Sequence, residues 1–396
     1  MNTITLTEIN ERIIYKILHL HLYFYIDIER GLDMNLKGPM KEFYSELLKH
    51  IPENIKEENV TNFLDNVIEK MLNETTPIMV DDLRKSQGEM LEDQRLLRAE
   101  FEARLHRRWS KPLALLETLI VISLESSEEL YKENISIAKS KSNIKFEVLI
   151  KIHARACQIS YEILALLRSG FADGAMTRWR TLHELAVLSF FISQNDNDVA
   201  QMYLDYEFIE RYYEMLEYIK YAPILGYSEL PKEDIDELTS KRAELIHKYG
   251  NEFEKPYGWT LNVLDKKNRN FKALEENIQL DHLRPYYKLA CNYVHLGPKA
   301  SSFSLGNIEG SKIIIAGASN YGLANPGQNA CLSLTQITTC LLTSYPTFEA
   351  LMTCKIMDKF SSEACELFVE VQKQIELEED NYIDELEINE RFNCHH

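Results

Sequence analysis

Glycine and proline are scarce in this chain, with 14 and 11 residues among 396. Sandwiches and barrels need frequent turns, so this scarcity argues against them and favours long helices. Long apolar runs are missing as well, since the longest, residues 113–124, covers 12 positions and contains Glu117. A membrane-spanning helix needs about 18 consecutive apolar residues. The N-terminus has neither the apolar core nor the cleavage site of a signal peptide, so we expect no membrane association.

Basic charge is also in deficit. The chain has 44 basic and 62 acidic residues, which gives a net charge of −18. Such a chain does not attract phosphate over its whole surface, so RNA would have to meet a local patch or be delivered by a partner. The seven cysteines are an odd number without a CxxC pair. They exclude a disulfide scaffold and a zinc site, and predict a reduced, cytoplasmic protein.

Motifs for cofactors are not found. The sequence contains no Walker loop and no GxGxxG, so a glycine loop that binds phosphate has no support. His183-Glu184 begins like a zinc-protease motif, but Leu188 stands where the second histidine belongs. We therefore expect neither a metal nor another cofactor.

Helical periodicity is the strongest pattern, and it predicts an all-α, multi-helix bundle. Pro77 and Pro346 are expected to interrupt helices. Five helices are predicted in the middle of the chain, at 144–168, 171–193, 198–221, 231–249 and 281–296. Six of the fourteen glycines fall between Gly297 and Gly327, which predicts one short glycine-rich loop or hairpin insertion at about 297–327, with a short strand at 312–316.

Three regions follow from this pattern. Residues 1–140 are interpreted as an N-terminal helical region, 141–360 as the main helical bundle, and 361–396 as a helix end with an acidic tail. The polar segment 139–143 is the predicted linker between the first two regions.

The first candidate site lies on the helix predicted at 171–193. On a helical wheel His183 falls inside the apolar face, where a histidine has to be hydrogen-bonded, catalytic or both. Arg180 and Glu184 lie one turn apart at the edge of that face, and Arg178 lies on the opposite flank. Either Arg180 and Glu184 join this helix to its neighbours, or Arg180 binds an anionic substrate that Glu184 orients.

The second candidate site lies on the helix predicted at 281–296. Arg284, Lys288 and His295 align as a polar ridge, with Asn292 between the ridge and the core. The expected buried side consists of Leu289, Tyr286, Tyr293 and Leu296. His295 in the last turn either bonds the final carbonyls or acts as a general base that substrate can reach.

These segments carry a resemblance. RSGFADGAMTRWRTLHELAV, followed later by CNYVHLGPKAS, resembles a widespread bacterial family of uncharacterised proteins, and RRWSKPLALLETLIVISLE upstream looks like the same family. The likeness covers most of residues 60–355 and implies a helical fold. More distantly, hairpins with an arginine on one helix and a histidine on another look like the HEPN superfamily (higher eukaryotes and prokaryotes nucleotide-binding), in which many members are metal-independent ribonucleases of toxin–antitoxin and anti-phage systems. In their usual motif arginine and histidine lie close together on one helix, whereas here Arg284 precedes His295 by eleven residues.

The HEPN resemblance implies a ribonuclease of a bacterial defence or toxin system, with its site built across a homodimer. His295 would take the proton from a ribose 2′-hydroxyl, Arg180 or Arg284 would stabilise charge on the phosphate, and Glu184 would complete the catalytic set. The residues predicted to bind RNA or a nucleotide are Arg178, His183, Lys288, Asn292 and Lys299.

The alternative is a non-catalytic helical module that binds a partner protein or a small ligand in a defence or stress operon. In that interpretation Arg180, Glu184 and His295 form a buried polar network that fixes the helix register. Whether the protein is an enzyme stays open at this point.

Overall fold

The computed structural model describes the backbone of residues 57–295, 298, 303–308 and 314–393, and side chains within these ranges except those of 57–68, 71 and 380–393. Lys299 lies outside the described residues. The chain divides into two units, Met1–Leu97 and Arg98–His396.

The longest element is helix α1, Glu57–Ser140, whose residues up to Leu97 belong to the first unit. The break predicted at Pro77 is wrong, because α1 continues through Pro77 and also through Pro112. An interior proline removes one backbone hydrogen bond and its ring crowds the carbonyl four residues earlier, at a cost of about 3 kcal/mol that the rest of the helix has to offset.

A tight turn joins α1 to helix α2, Ile144–Arg168. Ser142 takes a positive φ of 48° in this turn, and the Asn143 side chain accepts a hydrogen bond from the Phe146 amide, which caps α2. The predicted boundary between residues 140 and 141 coincides with this turn. The second unit begins before this turn, at Arg98, and contains it.

Two long helices follow α2. Helix α3 is Ala172–Gln194 and helix α4 is Asn197–Leu225. Gly170, with φ +78°, makes the turn between α2 and α3; a Cβ there would lie 2.8 Å from the Ser319 carbonyl oxygen, so the position requires glycine. Asp196 caps α4 by accepting from the Val199 amide.

Shorter elements separate α4 from the end of the bundle. Helix α5 is Lys232–Tyr249, and single 3-10 turns follow at Asn251–Glu254, Gly258–Thr260, Lys266–Asn268 and Asp281–Leu283. Between and after them lie helices α6, Phe271–Asn277, and α7, Arg284–His295. The chain then forms helices α8, Ala324–Leu342, and α9, Phe348–Asn393, so the predicted interruption at Pro346 is confirmed.

The core of the second unit lies where α2, α3 and α8 pack together, with α9 against α8 and α7 against α3. Burial of apolar side chains on these faces is the main favourable term in folding such a bundle. The largest fully buried side chains come from four helices and one 3-10 turn: Trp109, Trp179, Phe146, Phe191, Phe253, Phe368, Leu105 and Leu113.

The glycine-rich segment is an irregular loop where the structure describes it, at 303–308 and 314–323. The Ser319 amide donates to the Gly170 carbonyl, and the Leu305 amide donates to Asp173 at 2.8 Å. No strand occurs among the described residues, which include 314–316 of the predicted strand; 312 and 313 lie outside them. The all-α prediction is confirmed, and α8 begins at Ala324, before the predicted end of the insertion.

Within the described part of the chain, no helix combines the length and the apolar character that a bilayer crossing requires.

Candidate functional site

His183 lies in the middle of α3, and its side chain is fully buried. Its ring stacks on Trp179, with ring centroids 5.3 Å apart, and Trp179 Nε1 donates to Ser333 Oγ on α8 at 3.0 Å. His183 therefore faces the core, as its position on the helical wheel predicted. A fully buried histidine has no contact with solvent. Its role therefore depends on the group to which its ring is hydrogen-bonded.

That partner is Glu275 on α6, whose side chain is also fully buried. His183 Nε2 lies 3.0 Å from Glu275 Oε1, and Arg284 Nη1 at the start of α7 donates to Glu275 Oε2. Glu275 therefore links α3 to α7, because it contacts His183 on α3 and Arg284 on α7. The guanidinium of Arg284 compensates the charge of the buried carboxylate.

Tyr287 on α7 forms the second half of this arrangement. Its hydroxyl accepts from Arg180 Nη2 at 3.1 Å and donates to Glu184 Oε1 at 2.6 Å. Arg180 and Glu184 also form a direct ion pair at 3.0 Å. The guanidinium groups of Arg180 and Arg284 lie 5.2 and 5.6 Å from the centroid of the Tyr287 ring, within the range of cation–π attraction.

We call these six side chains the α3–α7 network: Arg180, His183, Glu184, Glu275, Arg284 and Tyr287.

The network has a sealed side and a side near solvent. His183 and Glu275 are fully buried, whereas the side chains of Arg180 and Glu184 are 26 % and 34 % exposed. Burial raises the pKa of Tyr287, and the hydrogen bond to Glu184 acts in the same direction. Burial alone lowers the pKa of Arg180, but the hydrogen bond to Tyr287 and the charge of Glu184 outweigh it, so that the pKa is raised. Tyr287 thus stays protonated and Arg180 stays charged.

His295 is placed differently. It is exposed in the last turn of α7, so its inclusion in a buried network is wrong. It follows Tyr287 by eight residues and Arg284 by eleven, which is about 12 and about 16 Å along a helix. The structure gives His295 no hydrogen bond or ion pair with any described residue, and does not bring it to the arginines.

The other predicted site residues are scattered. Arg178 pairs with Glu162 on α2, on the flank opposite Arg180, as its position on the wheel predicted. Lys288 is exposed and forms no ion pair among the described residues, while Asn292 is half-buried.

The predicted buried side of α7 is only partly correct. Leu289 and Tyr293 are half-buried against the core, Tyr286 is exposed, and Leu296 lies outside the described residues. The buried residues of the helix are Tyr287 and Ala290. The face that packs against α3 therefore lies about 100° from the predicted one, and it brings Tyr287 rather than Tyr286 to Arg180.

A separate cysteine–histidine pair lies in the core. Cys157 Sγ is 3.6 Å from His153 Nδ1, and His153 Nε2 is 3.0 Å from the Thr338 hydroxyl. Burial lowers the pKa of His153 to about 4 and raises the pKa of Cys157 to about 12. Both groups are neutral near pH 7, so this pair has no thiolate and cannot act as a nucleophile.

Metal ligands are not clustered in the part of the chain that the structure describes, where no three His, Cys, Asp or Glu side chains could hold an ion together.

Sequence reasoning missed Glu275 and Tyr287. Glu275 lies 92 residues from His183, next to the exposed Glu276, and nothing local distinguishes the two carboxylates. A general signal was present, because a histidine on an apolar face requires a polar partner from elsewhere in the chain.

Comparison with known proteins gives one match. The profile of a family of unknown function (DUF5677) matches residues 146–312, a range that contains every residue of the α3–α7 network. No curated protein and no solved structure matches the chain. Over residues 146–312 the chain is therefore similar to an uncharacterised family, which agrees with the resemblance drawn from its motifs.

Proposed function

We propose that this chain is a non-catalytic helical module that binds a partner protein, and that the α3–α7 network fixes how its helices pack. The observation that carries the proposal is that each charged group of the network is bonded to another member. Arg180 is paired with Glu184 at 3.0 Å, and Arg284 and His183 share the buried Glu275. A substrate that paired with Arg284 would have to break its pair with Glu275 and leave this buried carboxylate uncompensated, which costs about 3–5 kcal/mol.

An apolar surface supports binding to a protein. The first turns of α9 expose Phe348, whose side chain is 73 % accessible, beside Leu351, Met352 and Ile356. These positions follow the i, i+3, i+4, i+8 spacing of one helix face. Contiguous exposed apolar side chains are typical of protein interaction sites. The net charge of −18 favours a protein over a nucleic acid as the partner. The same proposal includes that the protein is cytoplasmic and that it belongs to a defence or stress operon.

Substitution of Arg180 tests it. Arg180→Ala removes the ion pair with Glu184 and the hydrogen bond to Tyr287, both partly screened by solvent, so we expect a loss of about 1–2 kcal/mol in unfolding free energy. Lys288→Ala is the matched control, because Lys288 is an exposed cation on α7 without an ion pair among the described residues. We expect the first variant to melt at a lower temperature and the control to melt like the wild type. The proposal would be contradicted if all three proteins melted at the same temperature and the wild type cleaved RNA while Arg180→Ala did not.

A second candidate function rests on His295. This exposed imidazole, at the end of α7, favours the metal-independent ribonuclease as the second proposal. His295 would act as the general base toward a ribose 2′-hydroxyl, with the phosphate charge met by cations of a second chain in a homodimer.

RNA cleavage distinguishes the two proposals. Total RNA and a nucleotide panel are incubated with the wild type, His295→Ala and His282→Ala in the presence of chelator. His282 is an exposed histidine in the turn before α7 and serves as the control. The binding module predicts intact RNA with all three proteins. Cleavage that is lost only in His295→Ala, while the protein stays folded, would establish the ribonuclease instead.

A further inference from the structure

A cavity of about 740 Å³ lies in the second unit, where the end of α1 meets the start of α2. None of the residues that line it belongs to the α3–α7 network. Pockets that hold small molecules measure about 300–1,000 Å³ and are lined mainly by apolar side chains. This cavity fits that description, because its walls carry one phenylalanine, one tyrosine and three isoleucines: Phe146, Tyr131, Ile135, Ile144 and Ile150.

The wall formed by α2 is fixed by packing. Phe146 is 1 % exposed, and its ring meets the ring of Tyr345 edge-on, with centroids 4.9 Å apart. Asn143 also lines the cavity. Its Nδ2 donates to the Tyr345 hydroxyl at 3.1 Å, while its Oδ1 caps α2. A ligand therefore meets a wall that is already ordered, which lowers the entropic cost of binding.

Basic side chains surround this place. A second, polar cavity of about 620 Å³ adjoins the first, since Asn143 and Phe146 line both. Four lysines line the two cavities: Lys139, Lys141, Lys145 and Lys151. Among the residues that the structure describes, only Lys151 has an ion-pair partner, Glu147 at 3.0 Å.

The other three lysines carry positive charge that no described carboxylate neutralises. Lys145 Nζ donates to a neutral group, the Ser193 carbonyl, at 2.8 Å, and Lys139 and Lys141 are exposed. Asp196, which lines the polar cavity, is engaged as the cap of α4. In a chain with a net charge of −18, such a local group of cations beside a concave surface raises the concentration of anions there.

We propose that the apolar cavity binds a small organic anion with an apolar body. The body lies against Ile135 and Phe146, and the anionic group, a carboxylate or a phosphate monoester, pairs with Lys139 and Lys141. A lysine ammonium binds either group as a compact point charge. This site uses no residue of the α3–α7 network and depends on neither proposed function.

Titration calorimetry of the full chain tests the ligand class. The probes are octanoate, octyl phosphate and the neutral 1-octanol, each below the concentration at which it forms micelles. We expect at least one anion to bind with a dissociation constant about tenfold or more below that of 1-octanol. Binding of octanoate alone identifies the carboxylate as the head group, and binding of octyl phosphate alone identifies the phosphate.

A lysine variant tests the charge. In Lys139→Gln with Lys141→Gln the affinity for the anion should fall by about tenfold or more, while the affinity for 1-octanol stays unchanged. Both positions are exposed, so this variant retains the fold. Its matched control is Lys288→Gln with Lys359→Gln, which removes the same charge from exposed positions that do not line either cavity.

A filling variant tests the place. Ile135→Trp puts a larger side chain into the cavity and should abolish binding of the anion. Ile137→Trp is the control, because Ile137 lies on the same helix, is 44 % exposed and does not line the cavity. Thermal melting shows that each variant is folded.

Four results would overturn the proposal. They are a wild type that binds neither anion, equal affinity for the anions and for 1-octanol, a lysine variant that binds like its control, and unchanged binding in a folded Ile135→Trp.

Discussion

Removing Glu275 should destabilise the second unit far more than removing its neighbour. Glu275 is fully buried and bonds both His183 and Arg284. Glu275→Ala leaves the buried imidazole unpaired and Arg284 without its carboxylate. Breaking a buried charge pair by deleting one partner costs about 3–5 kcal/mol.

The change in melting temperature follows from the size of the unit. Arg98–His396 is the cooperative unit in this estimate. An unfolding entropy of about 2.1 cal/mol/K per residue gives about 0.6 kcal/mol/K for roughly 300 residues. Glu275→Ala should therefore lower the melting temperature by about 5–8 °C.

Glu276→Ala supplies the matched control on the same helix. Glu276 pairs with Lys272 at 2.9 Å, with side chains 50 % and 58 % exposed. A pair of this kind contributes about 0.5 kcal/mol or less, so the control should melt within about 1 °C of the wild type. Calorimetry of the three proteins at pH 7 is the assay. If Glu275→Ala melts like Glu276→Ala, the buried carboxylate has no structural role and the reasoning is refuted.

Three further predictions concern the core and the network. The pKa of His153 lies near 4 in the folded protein, below the 6.5 of a free histidine, so its stabilising contribution is complete above pH 6.5 and is lost as the pH falls toward 4. Urea unfolding should show that the unfolding free energy of the wild type falls by about 2–3 kcal/mol between pH 7 and pH 4.5, and that it falls by less in His153→Gln. An equal decrease in the wild type and in His153→Gln would contradict this prediction. Tyr287→Phe removes the hydroxyl between Arg180 and Glu184, and thermal melting should show a decrease of about 2–3 °C, whereas an unchanged melting temperature would mean that this hydroxyl contributes nothing. Burial raises the pKa of Cys157 to about 12, so iodoacetamide at pH 8 should label this thiol only after denaturation. Labelling of Cys157 itself in the native protein, located by mass spectrometry, would contradict its buried position.

Helix positions were predictable where local signals mark both ends. The expected helix at 144–168 agrees with α2, because Asn143 caps its start and Gly170 follows its end. Pro77 was misleading, since an interior proline disfavours a helix but α1 continues through it.

The candidate site was predictable only on the side of α3. Periodicity placed His183 in the core and Arg180 beside Glu184, because both statements concern one helix. Glu275 was hidden because it comes from a short helix, α6, that a distant part of the chain brings into place.

Tyr287 was missed for another reason. Two adjacent tyrosines lie about 100° apart on a helix, and either could be the buried one. Contact with α3 decides between them, and the sequence of α7 does not contain that contact.

The most direct test of the account is the coupling between Arg180 and Tyr287, which lie on different helices and share one hydrogen bond. Unfolding free energies are measured for wild type, Arg180→Ala, Tyr287→Phe and the double variant. The account predicts a coupling of about 1 kcal/mol or more, because each substitution removes the same contact. Effects that add to within about 0.3 kcal/mol would contradict the claim that the network holds α3 and α7 together.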